Sequence, residues 1–133
     1  MNAEMDLARQ WLAKARNDLL NADNNLRSEV VPYDTVCFHC QQAAEKLLKA
    51  YLVARGVQPP LTHDVLWLLE EILPHCADAE TLREGLAILM PYAVGVRYPD
   101  AAFMPTREDA YEARRAAEDT LGWLRFHLDG LFG

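Results

Sequence analysis

Phe38-His39-Cys40-Gln41-Gln42-Ala43-Ala44-Glu45-Lys46-Leu47-Leu48-Lys49-Ala50-Tyr51-Leu52 decides the fold. With Val36 ahead of it, Cys40, Ala43, Ala44, Leu47, Leu48, Tyr51 and Leu52 recur at intervals of three and four. This is the pattern of an amphipathic helix with a broad apolar face. The spacing predicts a helix over residues 33–55. Gly56 suits the position just past a helix end, and Pro59-Pro60 forbids continuation. The start of the helix is unusually polar, with His39, Gln41, Gln42, Glu45 and Lys46 crowded together.

Working outward, a first helix is predicted over residues 3–27 from Leu7, Trp11, Ala15 and Leu19, with Leu12 and Leu26 extending the stripe. A third follows Thr62, read as its N-cap with Asp64 in the first turn, and stops at Pro74. A fourth spans residues 78–92 on Leu82, Leu86, Ile88 and Leu89, with Pro91 kinking or ending it. The fifth opens at Thr106, where Thr106-Arg107-Glu108-Asp109 fits a capping box, and runs to about Leu128 with Gly122 inside. No strand alternation and no internal repeat appears. Five helices with short connections predict an all-α protein: an up-and-down four-helix bundle with an additional short helix.

The chain has 133 residues, 51% of them hydrophobic and 25% charged. That suits one globular domain, residues 1–133, able to bury roughly two-thirds of its unfolded surface without a metal or disulfide staple. The formal net charge of −7 argues against broad, nonspecific binding to nucleic acid, though a local basic groove remains compatible with it. Met1-Asn2-Ala3-Glu4-Met5-Asp6 has neither the basic nor the apolar region of a secretory signal. No apolar run has membrane-spanning length. Three cysteines, Cys37, Cys40 and Cys76, fit a reducing cytoplasm.

Several groups carry potential chemistry. Cys37-Phe38-His39-Cys40 is a C-x-x-C. No βαβ pattern surrounds it and no second ligand pair completes a zinc site, so it reads as small core residues. Neither a metal nor a cofactor is expected. His39 can act as acid or base near pH 7, or simply bond a neighbouring helix. His63 faces a cleft or decorates a turn. Glu45 and Lys49 stand four apart in the favourable order of a surface ion pair, so Glu45, Lys46 and Lys49 read as a solvated face, although Lys46 can also meet a phosphate. Arg97-Tyr98-Pro99-Asp100 is the strongest candidate. Pro99 turns Tyr98 out of the helix, and the Arg97 fork can grip a phosphate, pair with Asp100, or cap helical carbonyls. Trp11, Trp67 and Trp123 read as core or interface anchors. No P-loop, dinucleotide fingerprint, nucleophile elbow or zinc-protease motif is present.

The block from His39 to Leu52, Thr62-His63-Asp64 with the leucines after it, Arg97-Tyr98-Pro99, and the opening helix with Ala8, Trp11, Leu12, Ala15, Asp18 and Leu19 together resemble a HEPN domain. The resemblance covers nearly the whole chain. It implies a four-helix bundle with a short extra helix, a homodimer, and pairing with a minimal nucleotidyltransferase in a toxin–antitoxin-like module. It also implies a metal-independent ribonuclease in members that carry an Arg followed, after four to six residues, by a His. Here Arg97 has no His in that window, Arg55 and His63 are separated by seven residues, and Arg125 and His127 are too close. The expectation is therefore a non-catalytic homodimer that binds a nucleotide or RNA through Arg97, Tyr98, Asp100, Gln41, Gln42 and Lys46. One alternative is a divergent ribonuclease using Arg97 with His39 or His63. The other is a helical interaction module without a ligand.

Overall fold

The computed structural model describes residues 2–93 and 104–133. Among them are α1 (Ala3–Leu26), α2 (Tyr33–Ala54), α3 (Val65–Ile72), α4 (Arg83–Leu89) and α5 (Arg107–His127), with 3-10 turns at Ala77–Leu82, Met90–Tyr92 and Asp129–Leu131 and no strand. The all-α helical bundle expected from the periodicity is what forms.

Side-chain pairings give the directions. Asp18 of α1 meets His39 and Lys46 of α2, while Trp11 lies against Lys49, so α1 and α2 are antiparallel. Arg9 reaches the carbonyl of Gly130 and Asp23 pairs with Arg114, so α5 is antiparallel to α1 and parallel to α2. The return leg between α2 and α5 is made of α3 and α4, two short helices rather than one long one. The predicted fourth helix over residues 78–92 is therefore broken. Its first turns are 3-10, only Arg83–Leu89 is α-helical, and Pro91 turns the end back to 3-10.

The apolar stripe of α2 is the centre of the core. Val36, Cys40, Ala43, Ala44, Leu47, Leu48, Tyr51 and Leu52 are fully buried, together with Leu68, Leu69 and Ile72 of α3, Leu86 and Leu89 of α4, and Leu124 of α5. A helix this enclosed is apolar over much of its circumference, as its sequence is. Gly56 ends α2 with φ of 79°, the left-handed conformation that favours glycine. Trp123 is core, but Trp67 remains 49% exposed and so is no core anchor.

Thr106 and Asp109 form the expected capping box at the start of α5. The start of α3 differs from expectation. Asp64 is its N-cap, accepting from the amides of Leu66 and Trp67, and Thr62 instead accepts from the Asp64 amide, bracing the turn before it. Both residue types cap well, and extended backbone at Asp64 settles the choice.

Gly122 lies exposed in the interior of α5, and a Cβ built there meets nothing within 4 Å. Gly122→Ala should therefore stabilise the fold by about 0.5–1 kcal/mol, since alanine removes backbone freedom from the unfolded chain without a clash. A rise in the urea midpoint at unchanged m-value is the expected reading.

Candidate functional site

The polar start of α2 is organised around two buried carboxylates. Asp18 stands in the α1 stripe between Ala15 and Ala22, so packing α1 on α2 buries it to 6% exposure. It takes the Nδ1 of His39 at 2.9 Å and the ammonium of Lys46. His39 and Lys46 are seven apart, two turns along the same face. Glu45, on α2 itself, is 3% exposed. It takes the ammonium of Lys49, one turn on, at 3.0 Å, and the Nδ1 of His63 at 3.0 Å. Each carboxylate thus holds one lysine and one histidine.

Gln41 is fully buried and donates to the backbone carbonyl of His63 at 2.9 Å, pinning the α2–α3 connection to α2. Gln42 donates to the Gln41 carbonyl oxygen at 2.7 Å. Lys49 also lies over the Trp11 ring, 5.5 Å from its centroid. Glu45 and Lys49 are therefore not a solvated face: α1 and the α2–α3 connection close over them. Lys46, its side chain 22% exposed, is held on the same side by Asp18. A lone carboxylate in such a position is costly to bury, and its paired cations offset that cost.

The arrangement has chemical consequences. When the Nδ1–H of a neutral imidazole donates to a carboxylate, the Nε2 lone pair is left free. His63, with its side chain 65% exposed, directs that group to solvent, and His39 is partly exposed. Each histidine is thus oriented through Nδ1, and among the described residues its Nε2 has no hydrogen-bond partner. Lys46 gives one of its three donors to Asp18.

Arg97, Tyr98 and Asp100 lie outside the described residues. The chain that leads to and from them is placed, however. The Met90–Tyr92 turn before them packs against α2, and α5 after them begins at Arg107. Cys37 and Cys40 are wholly buried, and burial pushes both thiols up to about 12. The C-x-x-C is core packing. Among the described residues, no group of three or more His, Cys, Asp and Glu side chains converges as a metal site.

Asp18 and Glu45 are the residues the sequence reasoning underrated. The available signal was a carboxylate inside an otherwise apolar helical stripe, facing polar residues on a neighbouring helix.

The family model of the HEPN domain matches residues 8–127 of the chain. No curated protein and no solved structure matches it.

Proposed function

The chain belongs to the HEPN domain family, and from that premise we propose that it is a non-catalytic homodimer that binds a nucleotide or RNA in the cytoplasm and works with a nucleotidyltransferase. At family level, membership supports a nucleotide- or RNA-related function. Among the described residues no helix is long and apolar enough to cross a membrane.

What supports the reading is family membership together with the polar cluster at the start of α2, where buried Asp18 holds His39 and Lys46. Arg97 supplies a guanidinium fork for phosphate, Tyr98 a ring for a base, and Asp100 an acceptor. Lys46, with donors left over from Asp18, and Gln41 and Gln42 complete the proposed binding set. Net negative charge elsewhere keeps binding local rather than general.

A second reading, a divergent ribonuclease, draws on one observation: His39 and His63 are each bonded through Nδ1 to a buried carboxylate. One could take the 2′-hydroxyl proton and another protonate the leaving oxygen, while Arg97 stabilises the phosphate charge. RNA incubated with the protein in EDTA separates the two. We expect full-length RNA to persist with wild type, Arg97→Ala, His39→Gln and His63→Gln alike. Cleavage by wild type that any of these substitutions removes would establish the ribonuclease instead.

A further inference from the structure

A second cluster lies at the far end of α5 from the Arg97 segment. Cys76, the residue before the Ala77–Leu82 turn, is only partly buried. Its Sγ is 3.9 Å from Nδ1 and 3.8 Å from Nε2 of His127, the last residue of α5. The Nε2 of the same imidazole is 2.9 Å from Oδ2 of Asp78. Neither His127 nor Cys76 has a part in the α2 site.

The sulfur, almost equidistant from the two ring nitrogens, lies beside the imidazole, and a turn of the Cys76 side chain brings the thiol onto Nδ1. With Nε2–H donating to Asp78, the Nδ1 lone pair is left to accept the thiol proton. The imidazole is also held in place, its ring centroid 5.5 Å from that of buried Trp123. Asp78 and His127 line an open groove of about 550 Å³, and Cys76, outside that lining, is itself only partly buried and so open to a small molecule. The other two cysteines offer no such path, being fully enclosed in the core.

We propose that Cys76 is a reactive thiol, activated by His127 and oriented through Asp78, which small hydroperoxides oxidise to a sulfenic acid. The thiol proton passes to Nδ1 of His127. The thiolate sulfur attacks one peroxide oxygen, the S–O bond forms and the O–O bond breaks. With hydrogen peroxide the departing hydroxide takes the proton back from His127 and leaves as water. Sulfur loses two electrons and the peroxide gains them, so one peroxide and one thiol give one sulfenic acid and one water. Cys37 and Cys40 are sealed from Cys76, so resolution falls to an external low-molecular-weight thiol, which condenses with the sulfenic acid to a mixed disulfide and a second water.

The test is site-resolved mass spectrometry on the intact native protein at neutral pH. Iodoacetamide should alkylate Cys76 roughly tenfold faster than it alkylates free cysteine, because the thiolate is the nucleophile. Cys37 and Cys40 should stay unlabelled, and dimedone added with hydrogen peroxide should mark Cys76 alone. His127→Gln should erase the rate advantage. Asp78→Asn should remove part of it with the melting temperature unchanged, and this exposed position keeps the test valid if the His127 variant loses stability. A Cys76 that reacts no faster than free cysteine, or whose rate is untouched by both substitutions, overturns the proposal.

Discussion

Glu45→Leu will lower folding stability by about 3–5 kcal/mol, because it strands a buried ammonium without its counter-charge. Glu45 is 3% exposed and Lys49 is 7% exposed, which leaves water little room to replace the lost partner. The same substitution leaves His63 Nδ1 and one Gln41 amide proton without their carboxylate. Part of the loss comes from the stranded charge rather than from the value of the pair itself. The double variant Glu45→Leu/Lys49→Met should therefore recover most of it, since well-packed apolar residues of similar volume replace buried ion pairs at little or no net cost. Urea unfolding of the two single variants and the double, read at a common m-value, measures both statements. A Glu45→Leu protein within about 0.5 kcal/mol of wild type would show that this carboxylate is solvated.

Tyr51→Ala should cost about 3–5 kcal/mol as well, through a different mechanism, the cavity left by a large core side chain. Tyr51 is fully buried and joins α2 to α5, its ring centroid 4.9 Å from that of Trp123. Its hydroxyl accepts from Nε of Arg55 at 3.1 Å. Tyr51→Phe keeps the ring and loses only that bond, so it should cost about 0.5–1.5 kcal/mol. Thermal unfolding should separate the two variants clearly, with the alanine variant lower by on the order of 10 °C or more. Equal melting temperatures would mean that the hydroxyl, not the ring, is what the α2–α5 contact depends on.

The helices were legible because their signals are local. Apolar residues at three- and four-residue spacing mark α1, α2 and α5, Gly56 marks one end and the Thr106–Asp109 box another. The start of α3 was less legible. Thr62 and Asp64 are both good caps, and only the backbone angles at Asp64 decide between them. The broken return leg was harder still, since a 3-10 turn and an α-helix share much of their apolar spacing. In the candidate site, His39 and His63 were visible as residues but their partners were not. Whether Glu45 and Lys49 form a surface pair or a buried one depends on what covers the flank of α2. That cover comes from Trp11 on α1 and from a connection pinned by Gln41, both distant in sequence.

A labelled single-stranded oligoribonucleotide, titrated in EDTA with wild type and with Arg97→Ala at concentrations where the oligomer is verified, tests the proposed function most directly. The expected result is saturable, salt-sensitive binding to a dimer, with the RNA intact throughout. Arg97→Ala should weaken it by roughly 10–100-fold, the loss of one charge-assisted contact, while leaving the melting temperature in place. Absence of binding by wild type would contradict the proposal and leave an interaction module. RNA cut by wild type and spared by Arg97→Ala would contradict it in the other direction and make the protein a ribonuclease.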